Sequence, residues 1–312
     1  MASSAQCMYV IVRCCTVAGF LTGLAALCTQ TAWADDDNHR HHRRTCLIVD
    51  TDVATDDFRA FAVLFPHREL RAVVVTEGIS SVAKGSTAIA LFLASGQSTA
   101  PVIPGLASAL PPTYDWLPLT RAVAERLNGL LPQSIPSAAD SNKLRLALAA
   151  ALKGCNRVEV LVLGPWSSFV QYSAMLRPFI RRVVASGRPF SETNPDNFNC
   201  EYDRAACEKA EEFLNKVRRA VWVDLPTGNS YPATLPFITQ LGEIGMPGLL
   251  RAALDANHDW SGTRFWDDSA ALYLLAHELF KATQGQTHLE PAIDEEALSN
   301  ALINAINAPP QH

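Results

Sequence analysis

Short apolar runs rich in β-branched residues alternate along this chain with longer stretches of helical periodicity, and that alternation limits the fold more than any other feature. Runs such as Leu47-Ile48-Val49 and Val160-Leu161-Val162-Leu163 are apolar on both faces. A strand with one face in water would alternate apolar with polar residues, so these runs belong to a parallel sheet covered by helices on both sides. The pattern predicts strands at 46–50, 71–76, 101–103, 158–163, 181–186 and 220–223, and helices at 56–65, 82–95, 143–152, 169–176 and 204–216. Residues 106–140 are rich in Pro and Ser with one helical pattern at 120–130, and read as a long excursion at the sheet edge. Beyond residue 223 the periodicity is chiefly helical, at 237–241, 248–254, 267–280 and 295–306. The fold class expected is therefore α/β: a mostly parallel, Rossmann-like sheet flanked by helices, with a helical C-terminal portion.

Residues 1–34 read as an export signal. Arg13 is the one charged residue before Asp35, and the apolar stretch at 17–27 is shorter than the roughly 20 residues a membrane-spanning helix needs. Ala32 and Ala34 put small residues at the positions a signal peptidase reads. Residues 35–45 form a polar leader with no apolar residue to fold on, and its His39, His41 and His42 lack a scaffold that would fix a metal's geometry. Residues 46–312 are expected to form a single domain without a stable membrane anchor, exported to a periplasmic or extracellular space. Such a compartment is oxidising. Cys46, Cys155, Cys200 and Cys207 lie beyond the signal; their three complete pairings cannot be ranked from sequence, and their spacing matches no zinc pattern. With 26 basic against 31 acidic side chains and no basic stripe interleaved with aromatics, nucleic acid is excluded as a partner.

Asp50-Thr51-Asp52-Val53-Ala54-Thr55-Asp56-Asp57 occupies the junction between the first buried strand and its helix. Four carboxylates in eight residues repel one another there. A divalent cation removes the conflict, and hard oxygen donors favour Ca²⁺ or Mg²⁺ over zinc. The C-terminal ends of strands are also where open α/β sheets place ligands. A capping role, with Thr55 as N-cap and Asp56 and Asp57 facing the helix dipole, accounts for two of the acids and leaves Asp50 and Asp52 unexplained.

With its second strand and Gly78, this DTDxxxDD segment resembles the opening of the inosine-uridine-preferring nucleoside hydrolases. Val162-Leu163-Gly164-Pro165-Trp166-Ser167-Ser168 is similar to that family's strand and GPLTN turn. Asn197-Phe198-Asn199 with Asp203-Arg204-Ala205-Ala206 resembles its EFN and DPEAA segment, and DDSAALYLLAHELF at 267–280 its DPLAVAYLLDPELF helix. Order and spacing agree over about residues 46–280. The resemblance implies a nucleoside-hydrolase-like fold that holds Ca²⁺ through Asp52, Asp57, the backbone carbonyl of Leu163 and Asp267. It makes Asp52 the general base for a metal-bound water and Asp56 the acceptor for a ribose hydroxyl. Asn197, Asn199 and Trp266 fall at the substrate. The implied reaction is hydrolysis of the N-glycosidic bond of a small-molecule ribonucleoside or related N-riboside, through an oxocarbenium-like state attacked by water on one face while the base leaves on the other.

Departures from the family pattern fall on the sugar and leaving-group contacts. Val53-Ala54 stands in place of Pro-Gly, Ile79 in place of an asparagine, Asn197 in place of a glutamate and Trp266 in place of a histidine, and 106–140 has no histidine-glycine loop. The three metal carboxylates are kept, so sequence supports calcium binding more strongly than turnover. Trp266 offers a stacking face but no proton to give, and beside Phe265 it also reads as core filling. Tyr114-Asp115-Trp116 reads as an anchor of its loop to the core, 194–197 as a turn, and His67, His258, His277 and His288 as surface or cap residues. Two other classes stay open: a nucleoside- or sugar-binding protein on the same scaffold without turnover, and a haloacid dehalogenase-type phosphatase. The DxD nucleophile of the latter also resembles Asp50-Thr51-Asp52, although Ala54 stands where that motif wants Thr or Val. The base, the sugar and assembly into a homo-oligomer are not fixed by the sequence.

Overall fold

The six runs read as strands form the parallel body of one sheet in a computed structural model that describes residues 45–109, 111–126, 139–192, 197–228, 231–255, 264–283 and 288–311. The expected signal and almost all of the leader, the turn at 194–196 and His258 lie outside the described residues. The strands are β1 (Thr45–Thr51), β2 (Leu70–Val75), β3 (Val102–Pro104), β4 (Arg157–Val162), β5 (Ile180–Ser186), β6 (Ala220–Val223), β7 (Phe280–Ala282) and β8 (His288–Pro291), in spatial order β3-β2-β1-β4-β5-β6-β8-β7. Every pairing is parallel except β7 with β8. The chain runs outward from β1 to β3, returns to the centre and runs outward again from β4, so the order reverses between β1 and β4. Ligand crevices of open α/β sheets form at this point, beyond the strands' C-terminal ends.

The helices are α1 (Thr55–Leu64), α2 (Val82–Ser95), α3 (Leu117–Arg126), α4 (Ser141–Ala151), α5 (Phe169–Leu176), α6 (Phe198–Tyr202), α7 (Arg204–Leu214), α8 (Leu235–Thr239), α9 (Gly245–Asp255), α10 (Trp266–Leu275) and α11 (Glu295–Ile306). Leu47, Val49, Val73, Val75 and Leu161 pack with α1, α2, α9, α10 and α11 on one face of the sheet. Ile48, Val74, Val158, Val160 and Val162 pack with α4, α5 and α7 on the other. Successive strand residues thus enter opposite cores, and for that reason runs such as Leu47–Val49 and Val160–Val162 are apolar without alternation. No helix among the described residues is long and apolar enough to cross a membrane.

The C-terminal third is chiefly helical, as expected, with two short strands, β7 and β8, among its helices. The helix expected at 267–280 ends at Leu275, where Ala276 leaves the helical region with φ −138°, and a 3₁₀ turn at His277–Leu279 leads into β7. β7 and β8 have three and four residues, too few to register as a period. His288, expected at the surface or at a cap, is fully buried on β8. Its Nδ1 lies 2.7 Å from Glu192 Oε2 and its Nε2 3.1 Å from Glu290 Oε1. The two carboxylates accommodate a polar ring that burial alone would penalise.

The cysteines pair as Cys46–Cys155 and Cys200–Cys207. The first ties the start of β1 to the turn before β4, and the second ties α6 to α7. Cys46–Cys155 closes a sequence separation of 109 residues. Replacing both of these cysteines by Ala is expected to lower the unfolding free energy by roughly 2–5 kcal/mol, measured by urea denaturation.

Candidate metal centre and active site

Asp52 follows the last residue of β1 at the sheet's switch point and is 2% exposed. The Ile79 N–H donates to its Oδ2 at 2.8 Å, and its own carbonyl accepts from Ser80 N–H at 3.0 Å. Two glycines press against it. A Cβ at Gly78 would overlap the Asp52 carboxylate, and one at Gly164 would stand 2.7 Å from the Asp52 backbone nitrogen. Gly78→Ala is therefore expected to displace the Asp52 carboxylate and, if Asp52 is a ligand, to weaken divalent-cation binding about 10- to 100-fold in calorimetry, the scale seen when the support of a ligand is disturbed.

Val53 carries φ +53°, a left-handed conformation that costs a β-branched residue energy. The surroundings hold it there. Its N–H bonds Thr51 Oγ1 at 3.1 Å, its carbonyl accepts from Ser80 Oγ at 2.7 Å, and its side chain is fully buried. The sharp turn that results starts α1 at Thr55, with Ala54 as the cap residue rather than Thr55 as the sequence suggested. Ala54 has no side-chain acceptor. Asp57 takes over by accepting the Ala54 N–H at 2.7 Å, and it also accepts from Thr51 Oγ1.

Asp56 and Asp57 in the first turn of α1 meet Asp267 in the first turn of α10, and oxygens of the three carboxylates lie within 4.8 Å of one another. Calcium ligands at about 2.3–2.6 Å from the ion can be no more than about 5 Å apart, so the spacing suits that cation. Asp57 also touches Asp52 and Asp267, and Asp267 accepts from the Ser186 hydroxyl. Burial, and then the neighbouring carboxylates, push these acids up: Asp52 and Asp56 to about 7, Asp57 and Asp267 well above the usual carboxylate range. The adjacent Asp268 is answered by Arg59, whose Nε and Nη2 reach its two oxygens at 2.8 and 2.9 Å in a fully buried pair joining α1 to α10. The remaining four carboxylates, Asp52, Asp56, Asp57 and Asp267, form a hard-oxygen donor set that fits a divalent cation. Sequence reading missed Arg59 and Asp268. A lone arginine in the apolar helix Phe58–Leu64 was the available signal, since such a residue requires a buried partner.

Asp50 does not join the group, contrary to the sequence argument that counted it among the crowded acids. It shares the sheet face of Ile48, where Thr76 donates to its Oδ1 at 2.5 Å and Tyr172 to its Oδ2 at 2.8 Å. The Leu163 carbonyl accepts from Asn199 Nδ2 at 2.6 Å, which occupies one of its two lone pairs. Asn197 spends its amide donor on the Arg188 carbonyl at 2.9 Å. Asp203 caps α7 and accepts from Ser167 Oγ at 2.5 Å, so the segments Val162–Ser168 and Asn197–Ala206 are physically joined. Trp266, the first residue of α10, is half-buried, packs against the core, and has the Arg264 guanidinium 5.5 Å from its ring centre. Tyr114 and Trp116 stack on each other 5.1 Å apart and both pack at a tilt against Phe198 of α6; they anchor the loop there rather than in the main cores.

Neither protein-family profiles nor curated protein sequences match this chain. Solved structures do. The inosine-uridine preferring nucleoside hydrolase from Bacillus anthracis superposes with a TM-score of 0.60 at 14% identity, over 85% of this chain and 100% of that one. A plant nucleoside hydrolase gives 0.60 at 15% identity over 85% and 99%. The purine-preferring ribonucleoside hydrolase from Gardnerella vaginalis gives 0.57 at 15% over 84% and 98%. At such identities the likeness carries the architecture: this chain has the nucleoside hydrolase fold over nearly the whole length of those enzymes.

Proposed function

We propose that this protein hydrolyses the N-glycosidic bond of ribonucleosides or a related N-riboside, with Ca²⁺ held by Asp52, Asp57, the Leu163 carbonyl and Asp267. The observation that carries the proposal is the convergence of Asp52, Asp56 and Asp57 with Asp267, some 210 residues further along the chain, at the switch point of a nucleoside hydrolase fold. When bound, the cation supplies positive charge that acidifies water and orients sugar hydroxyls. Asp52, clamped by the Ile79 N–H and two glycines, accepts the proton of the water that attacks C1′. Asp56 accepts a ribose hydroxyl, Asn199 holds the Leu163 carbonyl in place while facing the sugar, and Asn197 and Trp266 border the substrate, Trp266 with a ring face for the base. A phosphatase of the haloacid dehalogenase type is disfavoured, because its nucleophile would be Asp50, whose two oxygens are both bonded within a closed core. Export to a periplasmic or extracellular space belongs to the same proposal, supported by the two disulfides, which need an oxidising compartment.

The test is release of free base and free ribose from a panel of nucleosides, with and without chelator. Turnover abolished by chelator and restored by Ca²⁺ is the expected result. Tight nucleoside binding with no product in either condition would replace the hydrolase by a binding protein on the same scaffold.

A further inference from the structure

The proposed reaction leaves a gap at the departing base. Trp266 has no proton to give, yet a nucleobase leaves as an anion unless something meets its charge. The loop that the sequence left as an excursion supplies a candidate. A cavity of about 440 Å³ is lined by Glu77, Pro112, Tyr114, Leu117, Arg121 and Tyr202. That size lies within the range of about 300–1,000 Å³ usual for small-molecule sites. The cavity adjoins Asp52 through a single turn: Arg121 donates from Nε to the Ile79 carbonyl at 2.9 Å and from Nη2 to the Gly78 carbonyl at 2.6 Å, and the Ile79 N–H is bonded to Asp52. Nη2 also reaches the Tyr202 hydroxyl at 3.2 Å, and Glu77 pairs with Arg121 at 3.5 Å. Arg121 Nη1 has no partner among the described residues. Two fixed donors therefore remain on a guanidinium anchored by four other contacts, in a cavity with two tyrosines.

We propose that this cavity receives the leaving heterocycle and that Arg121 stabilises it, an inference that rests on riboside hydrolysis at the Asp52 site. When the C1′–N bond breaks, its electron pair stays with the base nitrogen and spreads onto the ring's carbonyl oxygen and other nitrogens. The attacking water's oxygen bonds C1′, and its proton passes to Asp52. Arg121 keeps all its protons, because a guanidinium does not release one near neutrality. It acts by hydrogen bond and charge on the anion, which then takes a proton from solvent. The base favoured is one with a carbonyl acceptor, since Nη1 can only donate.

The experiment compares wild type with Arg121→Ala and the more conservative Arg121→Gln, in saturating Ca²⁺, on inosine and on p-nitrophenyl riboside, with hypoxanthine binding measured by calorimetry. Loss of Arg121 is expected to cut kcat/KM on inosine about 100-fold, the scale of one lost transition-state donor, and on p-nitrophenyl riboside by no more than about threefold, because that leaving group needs no help. Hypoxanthine affinity is expected to fall at least about tenfold. An equal fall on both substrates would overturn the proposal and reduce Arg121 to a brace for the Gly78–Ile79 turn. Unchanged hypoxanthine binding would overturn it too. Should wild type cleave neither riboside, the hydrolase reading fails by itself, and hypoxanthine calorimetry still decides the cavity: weaker binding in both variants upholds it, and no difference removes it.

Discussion

In chelator, the protein is expected to lose thermal stability as pH rises from about 4 to about 7, and saturating Ca²⁺ is expected to reverse the trend. Asp50, Asp52 and Asp56 are pushed by burial to about 7, and Asp57 and Asp267 are raised well above the usual carboxylate range. A carboxyl whose folded pKa lies above its unfolded value binds more protons folded than unfolded. Its contribution is therefore complete below about pH 4 and is lost as pH rises through its folded value. A shift of about three units corresponds to roughly 4 kcal/mol for one group, and such a loss lowers Tm by roughly ten degrees in a chain of this size. Glu159 works in the opposite direction. Burial opposes its charge, but Arg68 and Arg182 outweigh that and hold it below the usual range, so its support fades only in stronger acid. The proposed Ca²⁺ would bind the ionised cluster, and at about 1,000 times its Kd would add roughly 4 kcal/mol at neutral pH. Differential scanning calorimetry at several pH values, with chelator and with Ca²⁺, reads both slopes. A flat Tm in chelator, or one that Ca²⁺ leaves unchanged, would remove the metal site.

The parts of the fold legible in the sequence are those where one residue type has one physical solution. Leu47-Ile48-Val49 lies as a strand between two cores, and the crowding of Asp56 and Asp57 after β1 marks the place where Asp267 joins them. Asp50 misled because composition counts charges without faces: the pleat puts Asp50 with Ile48 against Tyr172, and Asp52, which the same alternation would send there, escapes it because β1 ends at Thr51 and the chain turns at Val53. The β7–β8 edge was hidden by its length. Arg59 and Arg121 were hidden by sequence distance, since their partners Asp268 and Gly78 lie 209 and 43 positions away. The cysteine pairs were equally silent, as any of three pairings suits four positions and only β1 meeting β4 brings Cys46 to Cys155. His288 shows the same limit from the other side, for nothing near it in sequence announces Glu192.

Asp52→Asn is expected to abolish riboside hydrolysis while making the metal-free protein more stable at pH 8. The asparagine is close to isosteric and its Oδ1 can still accept the Ile79 N–H, so the cradle formed by Gly78 and Gly164 is kept. What disappears is the charge to which the proposal gives two tasks, holding the cation and taking the proton of the attacking water. Loss of one acid–base group alone costs about 10²- to 10⁴-fold, and loss of metal affinity adds to it. The same substitution removes one of the four carboxylates that repel one another around Asp57. Relief of that repulsion raises Tm in chelator, as active sites built from mutually unfavourable groups are stabilised when one is neutralised. The two effects have opposite signs and come from one cause, so they separate a functional acid from a structural one. A lower Tm in chelator together with lost turnover would mean that Asp52 serves the fold. A higher Tm with turnover intact would mean that another carboxylate, Asp56 foremost, is the proton acceptor.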